Sequence, residues 1–381
     1  MKKIDLNTKQ ASRHATWLEL FYDLVYVIVI ARLVHHITVG HHDAVALHDY
    51  FIYVMLFVPV WWAWTGHTLF ENRFGTNDFA DRFLTLLQMF FAVLLAVFIV
   101  KADSDNSKAF AFVYGLIRFV LVVMYLRVHI SNREIRHITR GFLLGFSIAV
   151  MLWWLSVLMP VPYVFYVWML AMLIDMATPI LLRKKLNVIS VHAEHLPERT
   201  GLLVIILLGE SILGVVTAAE STQWNMLFLM NLFFGFSLVC CVWWLYFDTL
   251  ERTLMGRLRG AAQLHIYGHL PVYIGLGMQA AAIQHLAIAD YPATAIAILL
   301  CLSLVIILLP LQIIHFQHID KTTRTPFFIR GITIILILSS LPFATHVVNG
   351  TVIAAMVLFV LVIYMLIEQK MIGKECSLGN A

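Results

Sequence analysis

Residues 200–219 read TGLLVIILLGESILGVVTAA, twenty residues with one ionisable side chain, Glu210, at their middle. At a rise of about 1.5 Å per residue, a helix of that length extends roughly 30 Å, the thickness of a bilayer's hydrocarbon core. In oil each backbone polar group must be satisfied within its own segment, so such a stretch is a helix. Similar stretches recur from end to end of the 381 residues. The hydrophobic share is 61%, charged residues make up 13%, and the mean hydropathy is +0.86. A water-soluble domain runs near a quarter charged. No ten-residue segments of alternating polarity appear, which excludes a membrane β-barrel.

The pattern predicts an all-α polytopic membrane protein with about twelve transmembrane helices, at 17–38, 48–71, 82–101, 109–130, 141–159, 162–182, 200–219, 224–249, 266–289, 293–315, 328–347 and 351–369. The first sixteen residues are polar and basic and the first apolar run is of full spanning length, so no cleavable signal peptide is expected. With the amino terminus inside, 22 of the 26 Lys and Arg fall in cytoplasmic loops and tails; Lys101 and Lys108 lie outside, and Arg32 and Arg118 lie within spans. That bias puts both termini on the cytoplasmic side of the membrane. It also accounts for the net charge of +4 without a nucleic-acid partner. The four cysteines lack disulfide or metal spacing.

The two halves match weakly but in order. Arg140-Gly141 and Arg330-Gly331 are offset by 190, Trp61-Trp62 and Trp243-Trp244 by 182, Glu71 and Glu251 by 180, and Gln88 and Gln279 by 191. Two six-helix repeats of the same orientation follow, related by an axis along the membrane normal. The expected organisation is a cytoplasmic segment 1–16, a first repeat 17–182, a cytoplasmic linker 183–199, a second repeat 200–369 and a cytoplasmic tail 370–381. Spans one and seven are then equivalent and are expected to face each other at the centre.

Ionisable groups inside spans are the most informative residues, because each costs about 2.5–3.5 kcal/mol at mid-membrane unless it meets a partner or water. Span one carries Glu19 and Asp23, four apart and on one helix face, beside Tyr22 and Tyr26. Glu19 is close enough to the interface to be solvated; Asp23 lies about 9 Å into the span, beyond the reach of a short side chain. Glu210 sits at mid-membrane among Gly209, Ser211 and Gly214, a carboxyl suited to a proton relay or, alternatively, to a structural hydrogen bond. Arg118 in span four needs an acidic neighbour, for which Glu210 and Asp175 are at suitable depth. Arg32 is half a turn from Asp23 and is expected to snorkel outward. At the cytoplasmic ends, Arg82, Arg199 and Asp248 stand as counter-charges or gates, or as solvated collars.

Seventeen histidines are many for this length. His35, His36, His41 and His42 cluster with Asp43, His48 and Asp49 around one outer loop, and His265 and His269 are i, i+4 on an inner helix end. Imidazole and carboxylate groups so gathered are candidate ligands for zinc, copper or nickel, although the spacings match no defined site. No motif names a cofactor.

Trp17-Leu-Glu-Leu-Phe-Tyr-Asp23-Leu-Val, Asn72-Arg73-Phe74 with Asp81-Arg82, His195-x-x-Glu198-Arg199-x-Gly201-Leu202 and Leu208-Gly-Glu-Ser211-Ile together resemble the bacterial low temperature requirement protein A family, LtrA, over most of the chain. The resemblance implies a multi-pass membrane protein. Span one, with Glu19-Leu-Phe-Tyr-Asp23-Leu-Val-Tyr, and span two, with Trp64-x-x-His67-x-x-Phe70, are also similar to the twin six-helix potassium channels of lysosomes and prokaryotes. In that family the first helix of each repeat lines the pore. Here a tyrosine stands for the signature serine, Trp17 for the basic residue before it, and Gly209-Glu210-Ser211 in the second half, departures that point away from potassium.

These readings converge on a channel or transporter for a small ion or solute, proton-linked, with a path between helices one and seven. Glu19, Asp23 and Glu210 are its binding or titrating groups, and Arg118, Asp175, Arg82, Arg199 and Asp248 its counter-charges. The partners expected are the lipid bilayer and the small solute, and a homodimer is an open assembly, since twin-repeat channels complete their pore with a second chain. Two other readings stay open: an intramembrane enzyme on a lipid-linked substrate using His67, Arg82, His195, His265 and His269, and a membrane sensor or scaffold.

Overall fold

The computed structural model describes residues 14–38, 47–186, 189, 191–192, 194–221, 224–253, 262–289, 291–316, 324–340 and 349–378. Among them the chain is entirely helical, with thirteen helices and no strand: α1 (Trp17–Thr38), α2 (Leu47–Phe74), α3 (Phe79–Ile99), α4 (Ser107–Ser131), α5 (Arg136–Ser156), α6 (Tyr163–Leu181), the single turn α7 (Arg183–Leu186), α8 (His195–Ser221), α9 (Met226–Thr253), α10 (Ala262–Ile288), α11 (Ala293–Phe316), α12 (Arg324–Ser339) and α13 (Gly350–Leu378). Within the described residues, each of the twelve expected segments overlaps a helix, eleven of them long and the eleventh in order, α12, short.

Eight of these, α3, α4, α5, α6, α8, α9, α11 and α13, are long and apolar enough to cross a bilayer. The chain is therefore a multi-pass membrane protein. Twelve crossings were expected, and the difference has a physical reason. Helices α1, α2 and α10 are 22, 28 and 27 residues long, but polar side chains dilute them: Glu19, Asp23 and Arg32 in α1, His67 to Arg73 in α2, and four of the polar residues of α10, His265, His269, Gln279 and His285. Helix α12 has 16 residues, and positions 341–347 of its expected span lie outside the described residues. Prolines inside α2, α6, α10 and α11 (Pro59, Pro179, Pro271 and Pro310) are tolerated in lipid where neighbours satisfy the freed carbonyls.

Outward faces are oily. Phe90 and Val97 on α3 are 56% and 60% exposed, and Phe359 and Leu366 on α13 are 66% and 59% exposed. Such continuous apolar exposure would aggregate in water and is what acyl chains cover. Arg32 is exposed near the end of α1, as a snorkelling side chain would be.

The chain divides into two compact units. The first gathers residues 1–33, 51–202 and 258–263. Here α3, α4, α5 and α6 pack in sequence, each on the next. An aromatic cluster of Phe70 and Phe74 from α2, Tyr125 from α4, and Phe142 and Phe146 from α5 fills the centre. Tyr125 stacks on Phe142 with ring centroids 4.8 Å apart and meets Phe70 edge-on at 5.1 Å, geometries that add to simple burial.

The second unit gathers 34–50, 203–257 and 264–381. A polar pin joins three of its helices: Asn231 of α9 donates through Nδ2 to the Leu286 carbonyl of α10 at 2.8 Å, and the Thr351 hydroxyl of α13 donates to Asn231 Oδ1 at 2.5 Å. Gly275 lets α10 approach α11, since a Cβ there would meet Ile307 and the Ser303 carbonyl. Of the residue pairs matched between halves, Gln88 and Gln279 are both buried, but two other pairs differ. Trp61 and Trp62 are buried whereas Trp243 and Trp244 are half exposed, and Arg140 is exposed whereas Arg330 is buried against Tyr364.

Candidate functional site

The first turn of α1 opens with Thr16-x-x-Glu19, a capping box. Glu19 Oε2 accepts the Thr16 N–H at 2.7 Å, and Thr16 Oγ1 accepts the Glu19 N–H at 3.3 Å. This fixes the carboxylate, which is only 2% exposed, and turns its other oxygen inward. Glu19 Oε1 lies 3.2 Å from His195 Nε2 and 3.6 Å from Arg199 Nη1. One turn further, Asp23 Oδ1 accepts from Arg199 Nη2 at 2.7 Å and from the Trp64 indole N–H at 2.8 Å.

Two helix faces are thus matched rung for rung. Glu19 and Asp23 are i, i+4 on α1, and His195 and Arg199 are i, i+4 on the opening turns of α8, so each acid meets a nitrogen base. Trp64 also lies beneath the guanidinium, 5.9 Å from its carbon. Arg199 and Asp23 are 0% and 3% exposed, and a buried pair of this kind survives only with good geometry and extra hydrogen bonds.

Helix α2 supplies the third wall. Trp64, His67 and Glu71 recur at i, i+3 and i+7 on one face. Asn72 bonds His195: its Oδ1 accepts the backbone N–H of His192 at 2.9 Å, so the amide must present Nδ2 to His195 Nδ1, also at 2.9 Å. A backbone N–H can only donate, which settles the amide's orientation. Nδ1 of His195 is therefore the acceptor, and the ring hydrogen sits on Nε2, facing Glu19. Tyr22, between the two acids, stacks on His67 at 4.0 Å and reaches the Tyr26 hydroxyl at 3.3 Å.

Among the described residues, Asp23 Oδ2 and Arg199 Nε are buried in this cluster without a hydrogen-bond partner. Buried orphans of this sort are costly in a dry interior and call for water, an ion or a proton.

The expected site residues separate. Glu19, Asp23 and Arg199 come together, joined by Trp64, His67, Asn72 and His195. Of the two acids considered for Arg118, Asp175 is the one it meets, Nη2 to Oδ1 at 2.5 Å between α4 and α6, with side chains 1% and 0% exposed. Phe146 stacks on that guanidinium at 4.8 Å. Arg82 is exposed and bonds Asn77 Oδ1 at 2.8 Å, away from the acids of α1.

Arg127 takes the place near the second helix turn, with Nη2 at 2.9 Å from both oxygens of Asp78. Asp78 is also the N-cap of α3, accepting the Asp81 N–H at 2.8 Å. Burial pushes the Asp78 carboxyl up, but the Asp81 N–H and the Arg127 guanidinium outweigh it and hold it below the usual carboxylate range.

In the second unit Glu210 is half-buried, and among the described residues no ion pair reaches it. Asp248 is half-buried within electrostatic reach of Arg330. Arg330 donates to the Tyr364 hydroxyl at 3.0 Å and lies 3.7 Å from Glu368.

For metals, His41 and His42 lie outside the described residues. His35 is exposed and His36 half-buried. His265 and His269 do share a face, but His269 spends one nitrogen on the Tyr246 hydroxyl at 3.1 Å and the other on the His265 carbonyl. Among the described residues no three His, Cys, Asp or Glu side chains are arranged to hold a metal.

Sequence reasoning passed over the parts played by Asn72, Trp64 and Arg127. The helical period of Trp64, His67 and Glu71 was the available signal for an inward face of α2.

Comparison with known proteins agrees with the motifs that run through this cluster. An uncharacterized protein of Rhizobium meliloti (strain 1021) is 23% identical over 291 residues, covering 71% of this chain and 68% of that protein. The bacterial low temperature requirement A protein (LtrA) family matches residues 14–366, which include the whole cluster, and the chain belongs to that family.

Proposed function

We propose that this protein moves a small cation, with protons the simplest candidate, along a path that begins at the α1–α8 contact. The carrying observation is Asp23: buried, held through one oxygen by Arg199 and Trp64, and one helix turn from a second buried acid, Glu19, that meets the same guanidinium. Two buried carboxyls that share one arginine are not fully neutralised by it, and a proton or a small cation would balance the remaining charge. By helical period, Glu210 stands three turns beyond Arg199 on the same face of α8, about 16 Å along the axis, and is the next carboxyl on that line.

In this reading α1, α2, α10 and α12 cross the membrane with the eight apolar helices, giving twelve crossings in two six-helix repeats. The excess of basic residues in the inner loops supports both termini in the cytoplasm of a bacterial cell, with the α1–α8 contact near that side. A homodimer completes the path if one chain does not.

The test is flux in proteoliposomes loaded with a pH-sensitive dye, under imposed proton, potassium and sodium gradients. Wild-type protein should dissipate a proton gradient. Asp23→Asn and Glu210→Gln should abolish flux in the monodisperse, folded fraction, and flux equal to wild type in both variants would remove these carboxyls from the mechanism.

A further inference from the structure

A groove of about 690 Å³ runs along α5 where it leaves the end of α4. Its two ends differ in chemistry. At one end stand His129, Arg136, His137 and Arg140; along the rest lie Leu143, Leu144, Ser147, Ile148 and Met151. Among the described residues no acidic side chain lines it.

The basic groups are not equivalent. Arg136 is committed to the end of α4, donating through Nε to the His129 carbonyl at 3.0 Å and through Nη2 to the Ile130 carbonyl at 3.2 Å. His129 is tied to the Thr139 hydroxyl at 2.8 Å. Arg140 and His137 have no hydrogen bond or ion pair among the described residues, and Arg140 is exposed. The free cation is thus Arg140, with an imidazole beside it.

The apolar part has a length. Arg140, Leu144, Ser147 and Met151 follow i, i+4, i+7 and i+11 on one face, about 16 Å from first to last, which is roughly half the hydrocarbon thickness of a bilayer. Leu144, Ile148 and Met151 are 57%, 47% and 67% exposed, with room for a chain against them. A cation at one end and a single leaflet's depth of open apolar wall match an amphiphile with an anionic head.

We infer that this groove binds one anionic phospholipid, with its phosphate on Arg140 and His137 and one acyl chain along Leu144 to Met151. The choice of the cytoplasmic leaflet rests on the orientation proposed above; the binding itself does not. Basic pockets beside membrane helices are suited to such headgroups, at about 1 kcal/mol per Arg or Lys near the surface.

The experiment is thermal unfolding of the purified full chain in detergent, titrated with short-chain phosphatidylglycerol, phosphatidylcholine or glycerol 3-phosphate. Phosphatidylglycerol should stabilise the protein at lower concentration than phosphatidylcholine, and Arg140→Gln should weaken that midpoint roughly fivefold, while Arg140→Lys retains most of it. Lipid counts by native mass spectrometry should fall in parallel. Equal action of the two lipids, an unaffected Arg140→Gln, or equal stabilisation by glycerol 3-phosphate, which would mark a site for soluble anions, would each overturn the inference. Detergent has no leaflets, so a wrong orientation, read separately by cysteine labelling of the loops, fails on its own.

Discussion

Arg199 reaches Asp23 at 2.7 Å across 176 residues of chain, and that contact ties the start of α8 to α1 inside a single compact unit. Both side chains are buried, so the energetics are those of an ion pair removed from water. Breaking such a pair by removing one partner costs about 3–5 kcal/mol, because the remaining charge is stranded. Arg199→Gln and Asp23→Asn should each lower the unfolding free energy in detergent by that order. The double variant should recover more than half of the sum, since two amides can hydrogen-bond without a stranded charge. Additive losses in the double-mutant cycle would show that the two residues act independently.

Asn72 is a positioning residue: the His192 N–H orients its amide, and the amide in turn selects the His195 tautomer that points Nε2–H at Glu19. Asn72→Asp replaces the donor with an acceptor and favours a hydrogen on Nδ1. Flux should therefore fall, because Nε2 no longer carries the hydrogen it points at Glu19. Flux equal to wild type in Asn72→Asp would mean that the His195 tautomer takes no part in transport.

How much of this was legible beforehand depends on the range of the interaction. Helix positions follow from local oiliness, and within the described residues each expected segment overlaps a helix because it carries its own period and length. Burial of Asp23 was legible for the same reason: one residue's depth is a local property. Its partner was not, because nothing periodic links position 23 to 199. Arg82 shows the failure most clearly. Its motif, next to Asp81, suggested a counter-charge, yet Asp81 turns back to accept the Thr76 and Asn77 N–H groups, and Arg127, 45 residues on, serves Asp78 instead. Charge patterns name the participants near a helix end but not which arginine folds over which acid.

The Arg118–Asp175 pair offers a contrast with Asp23. Its guanidinium is stacked on Phe146 and its second amino group points at the Trp62 carbonyl at 3.5 Å, a setting of packed aromatics that fits a brace between α4 and α6. Asp175→Asn should therefore lower stability by about 3–5 kcal/mol while flux per folded molecule stays near wild type. Flux lost in a variant that remains as stable as wild type would move this pair from brace to pathway.

Asp78 gives the clearest pH dependence, because it sits in the turn between α2 and α3, outside the spans. Its folded carboxyl is held below the usual value by the Asp81 N–H and Arg127. The sign follows from linkage: a group that binds its proton less readily when folded contributes stability above its unfolded value, and that contribution drains away as pH falls through the folded one. The side chain is 33% exposed, so solvent screening keeps the ion-pair part small, and the cap itself is worth about 1 kcal/mol. Asp78→Ala should thus lower the unfolding temperature by a few degrees at pH 6, and the gap to wild type should close below about pH 4. A gap that stays constant from pH 6 to pH 3 would mean that the Asp78 charge does not hold the start of α3, and that its place in the turn is steric.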